Sequence, residues 1–233
     1  LALLGPDEPV AVACSGGADS AALAMIAAAL CHAQSRPLYL FHIHHGLYAQ
    51  ADEWQNRVEQ LAAHLAVPIV VSQVQVRTDS GKGLEAAARQ ARYQALSRMA
   101  LEHQLKALLL AHHRQDQAET VLLRLLRGAG VQGLSAMRDD VQRDGLRLLR
   151  PWLAIDRSEL LALVSAFSLR TGWQPVADPS NTDPQYARGA LRRDVVPALE
   201  AHWPAWRQTL ARHARQAQEA VEVMDEVAAS DLS

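Results

Sequence analysis

No run of about 18 apolar residues occurs anywhere in the 233-residue chain, so no segment reads as a membrane-spanning helix. The opening stretch, Leu1 to Pro9, has neither a basic n-region nor a long apolar core, which argues against a secretory signal. It also lacks an initiating Met, as a trimmed chain would. Cysteine is scarce: Cys14 and Cys31 are the two present. They form no C-x-x-C pair, and no Cys/His group has zinc spacing, which excludes a disulfide scaffold or zinc module and fits a reducing, cytoplasmic compartment. Lysine is scarcer than arginine, with only Lys82 and Lys106 among the 23 basic residues. Acidic residues number 25, leaving a formal net charge of −2. A global basic field for nucleic acid is therefore absent, and any such contact must come from local arginine clusters.

What is present is a regular alternation. Apolar, β-branched runs at Pro9–Cys14, Pro37–His44, Val67–Val76, Lys106–Ala111 and Leu146–Leu149 read as strands. Helical segments are predicted at Ala21–Leu30, Asp52–Leu65, Leu84–Glu102, Gln115–Arg127 and Ser158–Phe167. Strand and helix thus alternate, predicting an α/β fold with a doubly wound, mostly parallel five-stranded sheet covered on both faces. Such sheets bind ligands at the carboxyl ends of their strands. Asp178–Arg193 (DPSNTDPQYARGALRR) reads as a loop that turns basic. From Trp206 onward, Trp206, Leu210, His213, Ala217, Val221 and Met224 share one helical face, predicting a C-terminal helical extension. Residues 1–200 are expected to form one domain, and 201–233 a helical connector toward a further domain.

Several local patterns carry chemistry. Ser15-Gly16-Gly17-Ala18-Asp19-Ser20 follows the first strand and opens a helix. Its glycines allow close backbone approach to a ligand, and helix-start amides favour an anion. Asp19 would repel a bare phosphate unless a cation bridges them. The loop has no Walker-type Lys. An ordinary strand-to-helix turn explains these six residues equally well. His42, His44 and His45 end the second strand, where ring nitrogens reach either a nucleotide or only their packing neighbours. Glu85, Arg89 and Arg92 share one face of the third helix. They form either a phosphate clamp with Glu85 orienting Arg89, or a solvated salt-bridged face. The His112–Thr120 run (HHRQDQAET) carries a strand into an acidic helix start, where carboxylates suit the dipole. Asp116 there either does no more than that, or joins Asp19 in holding Mg²⁺ on a triphosphate, with His113 alongside.

The SGGADS loop resembles the signature of the pyrophosphate-releasing (PP-loop) ATPases, which include GMP synthetase, asparagine synthetase and tRNA-thiolating enzymes. The succession SGGADS, HIHHGL, LEAAARQARY, AHHRQDQAET with LLRGAGVQGLSAM, LRLLRPWL, and DPSN with ARGALRR resembles the catalytic domain of tRNA(Ile)-lysidine synthetases over about residues 9–200. Two positions depart from that pattern: Gln115 precedes the Asp of the H-x-x-D-D-Q motif, and Gly189 replaces Asn after Arg188. The resemblance implies an adenine-nucleotide alpha-hydrolase-like fold and an ATP-dependent ligase of lysine and tRNA. The substrate would be tRNA(Ile) with a CAU anticodon, and L-lysine would be joined to C2 of its wobble cytidine with release of pyrophosphate and AMP. ATP and Mg²⁺ are the implied cofactors. Ser15, Gly16, Gly17, Ala18, Asp19 and Ser20 would contact ATP. Asp19 and Asp116 would hold the metal, and Arg89 and His113 would join them as catalytic residues, His113 as a base. Arg188, Arg192 and Arg193 would meet tRNA phosphates, a solvated charge run being the alternative. No membrane partner is implied, and the oligomeric state is left open, with a homodimer among the choices. The competing functions are another PP-loop enzyme, thiolase-type or amide-forming, and an ATP-binding module without turnover.

Overall fold

The structure is a computed structural model that describes residues 5, 8–44, 46, 49–74, 84–179 and 183–231, with the side chains of 84–86 left aside. By Cα proximity it divides into two compact units. The first is made of residues 1–111, 140–149 and 158–177, the second of 112–139, 150–157 and 178–233.

The first unit holds the whole sheet. Its strands are β1 (Val10–Ala13), β2 (Leu38–His44), β3 (Ile69–Gln73), β4 (Ala107–Leu109), β5 (Asp140–Arg143) and β6 (Leu146–Leu149), in the order β3-β2-β1-β4-β6-β5. All five predicted strands are there and run parallel. A sixth, β5, adds to the edge antiparallel to β6. The sequence Asp-Val-Gln-Arg has one apolar residue and a mostly exposed face, so it carries no hydrophobic signature of a strand. Its signal lies instead in the turn, where Asp144 and Gly145 both have positive φ, as a tight hairpin requires.

Helices α1 (Ala18–Ala33), α2 (Ala51–Leu65), α3 (Leu84–Glu102) and α6 (Arg157–Thr171) complete this unit. Tyr93, Leu96, Met99 and Ala100 of α3 pack with Ala11, Phe41, Leu108, Leu146 and Leu148 in one buried cluster. Strand side chains alternate between faces, so Val10, Val12 and Leu40 turn to the other side, where alanine-rich α1 packs on β1 and β2. Burial of each large aliphatic or aromatic side chain, such as Phe41 or Leu108, contributes about 1.5–3 kcal/mol. Strand order reverses direction at β1, so the turn leaving β1 lies at the switch point, where doubly wound sheets bind ligands.

The second unit is helical. It contains α4 (Arg114–Leu125), α5 (Val131–Leu134), α7 (Ala187–Ala190), one π turn (Leu191–Val195), α8 (Val196–His202) and α9 (Trp206–Asp231). The late basic segment, expected as loop through Arg193, is therefore helical from Ala187 onward. Ala118, Leu191, Val196 and Trp206 form its core. The buried stripe of α9 is Trp206, Ala214, Ala217 and Val221, with Leu210 partly buried. His213 and Met224, expected on that face, point outward, because Ala214 rather than His213 continues the four-residue step from Leu210. Among the described residues no helix is long and apolar enough to cross a membrane.

Candidate functional site

The turn after β1 closes on itself through one hydroxyl. Ser20 is buried in the first turn of α1, and its Oγ donates to the Gly17 carbonyl at 3.0 Å while accepting from the Ser15 amide at 3.2 Å. The Ser15 and Ser20 hydroxyls also meet at 3.2 Å, and Ser15 Oγ lies 3.4 Å from the Gly17 amide. Gly16 has φ +86°, a region that favours glycine. Gly17 is the N-cap of α1 and brings no side-chain oxygen to the helix start. The usual capping oxygen is thus replaced by bare backbone, an arrangement suited to an external anion. Ala18 and Asp19 lie in the exposed part of this turn, both partly accessible.

Two side chains brace the strand beneath. The His42 ring donates from Nδ1 to the Cys14 carbonyl at 2.9 Å, and His44 Nε2 meets Asp52 Oδ1 at 2.9 Å. Both rings are buried and used internally; His45 lies outside the described residues. Burial holds the His42 imidazole below its usual range, only partly opposed by that hydrogen bond and reinforced by nearby His44. Burial also pushes the Cys14 thiol up to about 11, which keeps it protonated and inert as a nucleophile.

On α3 the expected arginine face has an aromatic partner. The guanidinium groups of Arg89 and Arg92 lie 5.1 and 5.6 Å from the centre of the Tyr93 ring, and that of Arg143 from β5 lies at 4.8 Å. Arg89 also reaches the Tyr93 hydroxyl at 3.5 Å. Three cations gathered on one buried ring form a local positive patch in a chain of negative net charge.

In the second unit the acidic start of α4 is bound up with the late basic helix. His113 is the N-cap of α4: its Nδ1 accepts from the Asp116 amide, and Asp116 Oδ2 accepts from the His113 amide at 3.2 Å. The His113 ring is 1% exposed. It is thus enclosed as a helix cap. Glu119, one turn further, has no solvent exposure at all. Arg192 grips it with two bonds, Nε to Oε1 at 2.8 Å and Nη2 to Oε2 at 2.9 Å. Gln115 Nε2 adds a third at 2.9 Å, and Arg188 Nε lies 3.5 Å from Oε2. Arg188 also donates to the Thr120 hydroxyl at 2.9 Å. Asp116 Oδ1 faces Arg192 Nη2 at 3.3 Å and Arg188 Nη1 at 3.7 Å.

The late arginines have carboxylate partners within their own unit. Arg188 and Arg192 turn inward to balance buried carboxylates. Arg193 is exposed but chelates Asp194, holding that carboxyl below its usual range. Nothing in the local sequence of Glu119 marks it as fully buried. The departure at Gly189 has a steric reason: a Cβ there would run into the backbone carbonyl of Asp183.

The residues suit magnesium unevenly. Mg²⁺ takes one or two carboxylates and completes its shell with water and substrate phosphates, so a preformed cage is not required. Among the described residues no group of three or more His, Cys, Asp or Glu side chains is disposed to hold a metal. Asp19, partly exposed beside the uncapped helix start, has the chemistry of such a single ligand. Asp116 does not fit as it stands, because its oxygens serve two guanidinium groups and a capping box.

Residues 5–199 match the family model described as the PP-loop domain. The chain is 55% identical to the tRNA(Ile)-lysidine synthase of Bordetella parapertussis over 96% of its own length and 64% of that protein's. It is 54% identical to the protein of that name from Bordetella pertussis over 96% of its length and 70% of that protein's. The chain thus spans less than two thirds of the first relative and somewhat more of the second. Among solved structures, the U34-tRNA thiolase NcsA from Methanococcus maripaludis superimposes with a TM-score of 0.73 at 17% identity, covering 93% of this chain and 75% of that one, a likeness of fold alone.

Proposed function

We propose, because the chain belongs to the tRNA(Ile)-lysidine synthase family of PP-loop proteins, that it supplies the ATP-dependent step joining L-lysine to C2 of the wobble cytidine of tRNA(Ile) with a CAU anticodon. What carries this reading is the loop geometry: a glycine at φ +86° followed by a side-chain-free helix cap, at the switch point of a parallel sheet. The extended identity to lysidine synthases supports the choice of substrate. Both cysteines of this chain are buried and neither belongs to a C-x-x-C pair, which speaks against sulfur transfer.

The chemistry follows from a poor leaving group. The cytidine C2 oxygen attacks the α-phosphorus of ATP, the bond to the bridging oxygen breaks, and pyrophosphate leaves. The oxygen at C2 now belongs to an AMP ester. A neutral lysine amine attacks C2, and AMP departs with that oxygen. The anticodon base is unpaired, so exposing it to the enzyme costs little. Loop amides from Gly17 to Asp19 and the positive end of α1 stabilise the triphosphate. Mg²⁺, when bound, neutralises phosphate charge as a Lewis acid, and Asp19 is the ligand proposed for it. Arg89 supplies positive charge from the Tyr93 patch. Asp116 and His113 are proposed to act by positioning: the cap fixes the start of α4, and Asp116 shares Arg188 and Arg192 with Glu119. A metal at Asp116 would first have to displace Arg192. Cytoplasmic localisation accompanies a tRNA substrate.

The test is AMP release from ATP in the presence of tRNA(Ile) bearing CAU, with and without lysine. Lysidine in the product and lysine-dependent AMP release are expected. AMP formation indifferent to lysine would sink the reading. Asp19→Ala should reduce adenylation by at least about a hundredfold while leaving the melting temperature nearly unchanged.

A further inference from the structure

The segment following α6 returns to the nucleotide loop, and no motif in the sequence marks it as part of the site. Trp173 is 2% exposed, and its Nε1 donates to the Arg57 carbonyl of α2 at 2.8 Å. Its ring packs edge-on to Phe167, with centroids 6.1 Å apart. Three residues on, the Val176 amide donates to the Gly16 carbonyl at 2.9 Å. A Cβ built on Gly16 would lie 2.9 Å from Val176 Cγ2 and 3.1 Å from Val58 Cγ2, so two valines close the space behind the loop.

These contacts matter because of what lies on either side of the Gly16–Gly17 peptide. Its orientation is governed by ψ of Gly16 and φ of Gly17, and glycine restrains neither strongly. The peptide is planar and trans, so its C=O and N–H point in opposite directions. With the Gly16 carbonyl bound to Val176, the Gly17 N–H turns to the opposite side, where Ser15 Oγ lies. A flipped peptide would aim a carbonyl oxygen where an anion must sit. We propose that Val176 is a positioning residue for ATP, its N–H and side chain together holding the Gly16–Gly17 peptide in the orientation that receives the triphosphate. Trp173 anchors the segment on α2, the same helix that supplies Val58, so loop and strap share one support. This rests on the reading that the loop binds ATP, but not on the identity of the acceptor.

The test compares three substitutions in the intact protein, using MgATP as the binding probe. Val176→Pro removes the N–H, Val176→Ala keeps it and removes methyl contacts, and Val176→Ile keeps both. Val176→Pro is expected to weaken MgATP binding by about tenfold or more and to lower kcat for AMP release, with KM for lysine unchanged. Val176→Ala should weaken MgATP binding about two- to fivefold, and Val176→Ile should restore parental values. A merely structural residue would lower the melting temperature and leave these constants alone. Folded Val176→Pro protein with parental affinity for MgATP overturns the proposal. Should that variant not fold, parental affinity in Val176→Ala does so. MgATP binding needs neither tRNA nor lysine. A parent that binds MgATP but forms no lysidine would therefore refute the proposed function and leave the test of Val176 intact.

Discussion

A fully buried carboxylate needs counter-charge, and Glu119 receives it from residues far along the chain, Arg192 foremost, 73 positions away. Its two oxygens together accept three hydrogen bonds from Arg192 and Gln115, so neither oxygen is left without a partner. Removing one partner of such a pair is far more damaging than the pair's net worth suggests. Glu119→Ala is therefore expected to lower stability by about 3 kcal/mol, discounted for the partial exposure of Arg192, as read from the denaturation midpoint. Glu119→Gln should recover part of that loss. Gly189 makes a second, purely steric case. Gly189→Asn, which restores the residue usual in the family, should destabilise this chain by about 2 kcal/mol or more, because the Asp183 carbonyl occupies the Cβ position. A variant as stable as the parent would show that the 183–189 backbone shifts freely.

Among the elements, the loop between α4 and α5 and its continuation show how side chains build structure where no ladder exists. Gln117 is buried and pairs with both backbone groups of Met137, donating to its carbonyl at 2.7 Å and accepting from its amide at 3.0 Å. Arg124 reaches the Gly133 and Ala136 carbonyls, and Gln218 of α9 reaches those of Ser135 and Met137. This is how α9 is tied to its unit by polar bonds as well as by its apolar stripe. The π turn at Leu191–Val195 widens the helix where Arg192 enters the Glu119 network. Trp206 anchors the start of α9 in the small apolar core. Trp206→Ala should cost about 3–5 kcal/mol, measured by chemical denaturation, with no hydrogen bond lost among the described residues, where its buried Nε1 has no partner. A cost below about 1 kcal/mol would mean that α9 is held by its polar contacts alone.

At the scale of the whole molecule, stability should depend on pH through His42. Its folded pKa is depressed, so the unfolded chain binds the proton more readily. The stabilisation is complete above the unfolded value of about 6.5 and is lost as pH falls through the folded value. The melting temperature should thus drop between neutral and mildly acidic pH, and His42→Asn should flatten that dependence; an unchanged slope would assign it to other groups. How much of the molecule was legible beforehand divides along similar physical lines. The five parallel strands, the helices between them and the glycine-rich turn after β1 were determined by the sequence itself, because apolar periodicity and backbone freedom act over a few neighbouring residues. The partners of Arg188 and Arg192, the enclosure of His113, the burial of Glu119 and the return of Val176 to Gly16 were decided only in tertiary structure. A charge looks the same in sequence whether it faces solvent or a buried counter-ion, and only the approach of distant segments determines which it meets.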